Sequence, residues 1–568
     1  MNKSTSTPRR QAVACAAAAA FLSAGLAAAQ TPPDAGSLLQ QIEQQRRPQL
    51  PPKAALPVVP PPPLQSLGGA SVTVTSFRFA GNTLLGAERL TPAVASFLNR
   101  PLGFPELQAA ATAVAAAYRQ AGWVVRVYLP QQDVSGGSVT IQIVEAVFGA
   151  VRVEGTARRI AAERLTALVD AALAPGAALN GDALDRALLL IDDLPGVSVT
   201  GRLSEGQRQA ETDLVLAVVD GPLISGDVSA DNTGSRSTGT ARLLVSASLN
   251  SPLRFGDLAS ATLLHTRGSD YLRAAYSVPI GSRGWRVGVN ASHLSYEVVL
   301  PELAQLDARG TSTTFGVDGN YPLLRSRLAN LYTAVTFDRR RFDNQSAGAT
   351  TTRYTADSAS AGLYGNLFDN LGGGGANTAS AALVQGRVDL NGSPNQAADA
   401  ATTRTAGSFH KLRFAVARQQ VLTDAVSLFG GLSGQRAGKN LDSSEKLFLG
   451  GPGGVRAYPV SEGGGSDGTL LNLEVRARLP ANVSLTGFYD WGSVRVNHDN
   501  DITGAAVPNR FDLKGFGVSV GWVSGFGLGV KATLARRIGS NPNATLTGND
   551  QDGSFRKNRL WLQASLPF

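Results

Sequence analysis

Four histidines and one cysteine are the residues this chain offers for metal binding or nucleophilic chemistry. His265, His293, His410 and His498 are dispersed, none has metal-ligand spacing, and no nucleophile motif stands out. Cys15 lies inside an N-terminal apolar run, so the chain beyond that run offers no disulfide, thiolate metal site or cysteine nucleophile. The reading is of no enzyme, no metal and no cofactor. The chemistry left to this sequence is charge pairing, and three strings near the C-terminus carry it.

The first string is GGPGGVRAYP at 450–459, followed by a glycine-rich stretch and Ser466-Asp467-Gly468. Glycine and proline at that density are costly in a strand, so this is a long loop with tight turns, and Val455, Arg456, Ala457 and Tyr458 form its tip. The second, LNLEVRARLP at 471–480, reads as a strand. Leu471, Leu473, Val475, Ala477 and Leu479 share one face, and Glu474, Arg476 and Arg478 share the other. In the third, VSLTGFYDWG at 483–492, Phe488 and Asp490 point opposite to Val483, Leu485 and Tyr489. Two readings of Arg456 follow. It is either a solvated charge at a loop tip, or the loop folds back and Arg456 forms a two-pronged salt bridge with Asp490 or Glu474.

These strings sit in a C-terminal half, 222–568, with no helical periodicity. Short alternating stretches are separated by clusters of Gly, Asn, Asp and Ser. Phe516, Val518, Val520 and Trp522 alternate with glycine and serine, and Leu560, Leu562, Ala564 and Leu566 alternate with Trp561, Gln563 and Ser565. A soluble sandwich alternates too, but around one shared core. So many polar inward positions fit a transmembrane antiparallel β-barrel, apolar toward lipid and polar toward water. At roughly 20 residues per strand and connection, the length gives roughly sixteen strands. Phe568, the C-terminal barrel residue, suits an aromatic girdle.

The N-terminal half must present something to that barrel. Lys3, Arg9 and Arg10, an apolar run from Ala12 to Leu26 and Ala27-Ala28-Ala29 read as a signal peptide over residues 1–29. Removing those three basic residues lowers the formal charge from +9 to +6 (9 − 3), and the remaining cations are scattered, so no nucleic-acid partner is expected. Residues 30–47 contain a short helix with Leu38, Leu39 and Ile42 on one side, and 48–71 form a proline-rich, semi-rigid linker with Pro60 to Pro63 in succession. Residues 72–147 and 148–221 then repeat one unit at an offset of 74 or 75. Each begins with a strand ending at a glycine, Gly81 or Gly155, continues through two helices, and closes on VTIQIVE or LVLAVVD. Leu107, Val114 and Tyr118 share a helix face in the first copy, as do Leu184, Leu188 and Ile191 in the second. The order β-α-α-β-β is an α+β module with helices on one face of a small sheet.

Helix, proline linker, two POTRA-like modules and barrel together resemble the two-partner secretion transporters. These are the TpsB proteins of the ShlB/FhaC/HecB haemolysin secretion-activation type, in the superfamily that includes BamA. That superfamily carries a V-R-G-[FY] tip on its sixth extracellular loop and a lumenal F-x-D motif. They read here Val455-Arg456-Ala457-Tyr458 and Phe488-Tyr489-Asp490, with Ala457 departing from glycine. Asp231-Asn232-Thr233-Gly234 followed by Gly239 resembles the family's first barrel strand. The resemblance implies an outer-membrane protein with periplasmic modules that exports an unfolded exoprotein without ATP. That partner would be an adhesin or haemolysin bearing an N-terminal secretion domain. The N-terminal helix would plug the pore; outer-membrane lipid, lipopolysaccharide and the barrel assembly machinery would be further partners. The rival readings are a BamA-type assembly factor, usually richer in POTRA modules, and a diffusion porin, which leaves 72–220 without a purpose.

Overall fold

The structure is a computed structural model that describes residues 33–45, 71–155, 157–208 and 210–568. The signal peptide and nearly all of the proline-rich linker lie outside the described residues.

The helix Ala35–Gln44 is started by a reciprocal cap. Asp34 Oδ1 accepts from the Ser37 backbone N–H at 2.7 Å, and the Ser37 hydroxyl oxygen accepts from the Asp34 N–H at 3.3 Å. Its apolar side carries Leu38 and Leu39, both buried, with Ile42 packed beside them.

Both α+β modules have the order strand, helix, helix, strand, strand. In the first, Ser76–Ala80 runs parallel to Ser138–Glu145, and Val125–Tyr128 pairs with the latter antiparallel, beneath the helices Ala87–Val94 and Phe104–Gln120. In the second, Val147–Glu154 runs parallel to Glu211–Asp220, which pairs with Val197–Glu205, beneath Ala162–Asp170 and Gly181–Asp192. The glycines at equivalent points, Gly81 and Gly155, Gly122 and Gly196, all have positive φ, a conformation that costs L side chains energy. A carboxylate on each closing strand ties down the turn after the opening one. Glu145 accepts from the Thr83 and Leu84 N–H groups at 2.8 and 2.7 Å, and Asp220 from those of Arg158 and Arg159 at 2.9 and 3.1 Å. Burial pushes the Glu145 carboxyl up, but these bonds and the Tyr118 hydroxyl outweigh it and hold it below the usual range. The first module adds a small ribbon, Ser71–Val74 with Arg100–Gly103, that the repeat pattern does not contain. Its strands are four residues each and one contains Pro101, too short and irregular for an alternation signal.

The modules join edge to edge. Only Ala146 separates their strands, and Leu179 N–H reaches Ala146 O at 2.7 Å while Gly181 N–H reaches Gly122 O at 2.8 Å. The second module is clamped to one rim of the barrel. Arg325 meets Asp193 and Arg327 meets Asp185, each at 2.8 Å, and Arg186 donates to Pro322 O at 2.7 Å.

Sixteen strands form one closed barrel, antiparallel throughout, from Ile224–Asp231 to Asn558–Pro567. The closing register pairs Asp231 with Gln563 and Asp227 with Pro567, and Phe568 continues it by exchanging backbone bonds with Gly226 at 3.0 Å each. Alternation explains the wall. Phe516, Val518, Val520, Trp522, Leu534, Leu560 and Leu562 face outward and are exposed, while Ser519, Thr533 and Trp561 face inward and are buried. No described helix is long and apolar enough to cross a membrane.

Candidate functional site

Two structures occupy the barrel lumen, and each is held by charges on the inward face of the wall. The first is the long loop between the strands Val426–Ala437 and Asp467–Leu479, the sixth counted from the far rim's first. It turns inward so that Val455, Ala457 and Tyr458 are fully buried in a cluster with Leu449, Phe488, Phe511 and Leu513. Arg456 is 6% exposed. Its Nε and Nη2 donate to Asp490 Oδ2 and Oδ1 at 2.8 and 2.7 Å, its backbone N–H donates to Oδ2 at 3.0 Å, and its Nη1 lies 2.8 Å from Glu474 Oε1. Both candidate carboxylates therefore hold this one guanidinium, and a solvated loop-tip charge does not describe it.

The surroundings complete its coordination. The guanidinium carbon sits 3.5 Å from the centroid of the Phe488 ring. Asn472 Nδ2 donates to Asp490 Oδ1 at 2.7 Å, Arg476 Nε to Glu474 Oε2 at 2.7 Å, and Trp561 Nε1 to the Arg456 carbonyl at 2.8 Å. Five donors in a rigid fork suit this arrangement; an ammonium cannot reproduce it. Asp490 itself is fully buried.

Ala457 fits because the wall makes room. A Cβ built on Gly515 would lie 2.6 Å from the Ala457 Cβ, and one on Gly517 would lie 2.6 Å from Phe488 Cζ. Ala457 is not among the positive-φ residues, so its side chain meets no backbone strain. Tyr458 lies under Arg537, 4.3 Å from ring centroid to guanidinium carbon, and Arg537 and Arg559 share the buried Asp550 at 2.5 and 2.8 Å. Asn472, Trp561, Arg537 and Asp550 escaped the sequence reading. Inward alternation marks Trp561, but its partner is fixed only when the barrel closes.

The second occupant is the helix Ala35–Gln44. Ala35 N–H donates to Asn344 Oδ1 at 2.9 Å, Ser443 Oγ donates to Asp34 Oδ1 at 2.9 Å, and Gln40 and Gln44 Nε2 both donate to Lys446 O, at 3.0 and 3.1 Å. Leu38 and Leu39 pack in a lumenal cluster with Tyr271, Leu294, Phe342 and Phe409. At its other end Glu43 lies 3.6 Å from Arg340, which also meets Glu445 at 2.6 Å; Lys411 meets the same carboxylate at 2.7 Å. Ser443, Glu445 and Lys446 belong to the long loop's first arm, so the helix rests on the loop as well as on the wall. Among the described residues no group of three or more His, Cys, Asp or Glu could hold a metal ion.

A family model described as haemolysin secretion/activation protein ShlB/FhaC/HecB matches residues 210–520, and a model of the POTRA domain, ShlB-type, matches 72–146. The heme/hemopexin transporter protein HuxB of Haemophilus influenzae is 24% identical over 80% of this chain and 81% of its own length. The outer membrane transporter CdiB of Dickeya dadantii is 24% identical over 78% of this chain and 80% of its own. The solved structure of CdiB from Escherichia coli superposes with a TM-score of 0.70 at 21% identity, covering 95% of this chain and all of that one. The chain belongs to the ShlB/FhaC/HecB haemolysin secretion/activation family, outer-membrane two-partner secretion transporters whose POTRA modules face the periplasm.

Proposed function

We propose that this protein exports a single large exoprotein, of the adhesin or haemolysin class and bearing an N-terminal secretion domain, and that both lumenal elements are gates which that client displaces. The observation that carries this is the helix Ala35–Gln44: it lies in the pore, yet polar contacts to Asn344, Ser443 and Lys446 supply much of its hold. Such contacts contribute about 0.5–1.5 kcal/mol each, and an entering polypeptide can replace them one at a time. Residues 30–47 serve as the plug, 48–71 as the tether that lets it leave, 72–147 and 148–221 as the receiving modules, and 222–568 as the conduit.

The periplasmic modules receive the client as an extended strand on an open sheet edge, where main-chain hydrogen bonds give affinity without a fixed sequence. Val125–Tyr128 and Val197–Glu205 each end a three-stranded sheet. Transport uses no ATP. Outer-membrane lipid and lipopolysaccharide surround the barrel, and the barrel assembly machinery inserts it.

Comparing culture supernatants and outer-membrane profiles of a deletion strain and its parent tests this reading. Loss of one large exoprotein with other barrels unchanged is the expected result. A general fall in outer-membrane barrels would instead make the protein an assembly factor of the BamA type.

A further inference from the structure

On the outward face of the strands Val483–Arg495, Arg510–Val523 and Gly529–Arg537, four cations gather at the rim farthest from the POTRA modules: Arg495, Arg510, Lys514 and Arg536. They follow the same alternation as the lipid-facing Tyr489, Phe516, Val518 and Leu534, so they point away from the lumen. Among the described residues none of the four has a carboxylate within salt-bridge distance. The one acid on this face, Asp512, accepts instead from Trp491 Nε1 at 3.3 Å.

The register adds a second, independent observation. Arg495 and Arg510 are direct cross-strand partners. Two like charges directly opposite destabilise a pair of strands unless an anion lies between them. Two other arginines on the outward face of this rim are matched: Arg339 lies 3.6 Å from Asp357, and Arg353 lies 2.7 Å from Asp343. Among the described residues Arg341, Arg387 and Arg436 also lack a salt bridge on this face, but none of these three is paired across strands with another cation, as Arg495 and Arg510 are.

Its height is set by aromatic residues. Trp491 is opposite Lys514, and Tyr489 is opposite Phe516, which is in turn opposite Arg536. Aromatic girdles of such barrels lie at the membrane interface. The cations therefore begin at the girdle and extend four residues beyond it, about 13 Å along the strand from Lys514 to Arg510. On the extracellular side of an outer membrane, this is the layer of lipid headgroups.

We propose that Arg495, Arg510, Lys514 and Arg536 form a binding site for the phosphates of an outer-leaflet glycolipid of the lipid A class. Guanidinium forks suit phosphate oxygens, and an anion seated between Arg495 and Arg510 turns a repulsive register into a bridged one. The proposal rests on the outer-membrane placement and is independent of which client is exported.

The test follows thermal unfolding of the purified full chain in neutral detergent micelles, read by gel mobility. Bis-phosphorylated lipid A, the same lipid without phosphates, or inorganic phosphate is titrated in. Bis-phosphorylated lipid A is expected to raise the unfolding midpoint, with no effect from the other two. The variant R495Q/R510Q/K514Q is expected to unfold no earlier than the parent without lipid, because a repulsion has been removed, and to need about tenfold more lipid A for the same shift. The single variant R510Q serves if the triple one fails to fold, and is expected to change in the same direction. R339Q/R353Q, which removes matched cations at the same rim, is expected to keep the parent response. An equal shift from phosphate-free lipid or inorganic phosphate would overturn the proposal, as would an unchanged response in the triple variant or an equal loss in R339Q/R353Q.

Discussion

Arg456 and Asp490 meet three times: two side-chain hydrogen bonds of 2.8 and 2.7 Å from the guanidinium, and one of 3.0 Å from the Arg456 backbone N–H. Thirty-four residues separate them in sequence, and the pair joins a loop tip to the barrel wall. Both side chains are buried, so the attraction is little screened, and the desolvation cost is offset only while every contact is present. Asp490→Ala leaves the guanidinium with Glu474 alone and is expected to weaken loop docking by about 3–5 kcal/mol. Arg456→Lys keeps the charge but loses the fork, and is expected to undock the loop and lower export. Barrel unfolding midpoints together with exoprotein in the supernatant check both. Unchanged values for Arg456→Lys would make the two-pronged contact irrelevant.

Gly515 supplies the space that Ala457 fills, since an added Cβ would approach the Ala457 Cβ to 2.6 Å. Gly515→Ala is expected to cost about 1–3 kcal/mol through overpacking against a loop that the salt bridge prevents from retreating. Ala457→Gly should be mild alone and should recover most of that loss in the double variant. A double-mutant cycle on the unfolding midpoint measures the coupling; strict additivity would mean that the loop moves away freely.

Removing residues 37–47 deletes most of the lumenal helix, and single-channel conductance in planar bilayers is expected to rise. Leu39→Asp places a carboxylate in the cluster formed with Tyr271, Phe342 and Phe409, and is expected to favour the open level in the same direction. If conductance is unchanged in the deletion, the helix does not plug the pore.

Alternation alone separates the faces at this site. Val475 and Tyr489 are outward and exposed, while Glu474, Phe488 and Asp490 are inward, and period-two patterning carries that distinction in any strand. The repeat was legible as well, because Gly81 and Gly155 hold a backbone conformation that few other residues tolerate. Nothing local assigns Asn472 to Asp490 or Trp561 to the Arg456 carbonyl. Those contacts exist only once sixteen strands have closed and fixed their registers. The helix Ala35–Gln44 shows the same limit: its apolar stripe announces burial, but that stripe is equally compatible with a groove on the modules and a seat in the barrel. The partners that decide it, Asn344 and Ser443, lie hundreds of residues away.

The base of the same loop carries a proton-dependent contact with the last extracellular loop. Glu462 is fully buried; its Oε1 accepts from Asn543 Nδ2 at 3.0 Å and its Oε2 from the Gln551 N–H at 2.9 Å. Burial pushes its carboxyl up to about 7, against about 4.3 in an unfolded chain. Between those values the docked state binds a proton that the released state does not, so docking weakens as pH rises through that window and levels off above it. Closed-state dwell times in planar bilayers are expected to be longer at pH 5.5 than at pH 8. Glu462→Gln, neutral throughout, should hold the low-pH behaviour at both values. A parent insensitive to pH, or a Gln variant that keeps the full dependence, would mean that Glu462 does not set how firmly these two loops are joined.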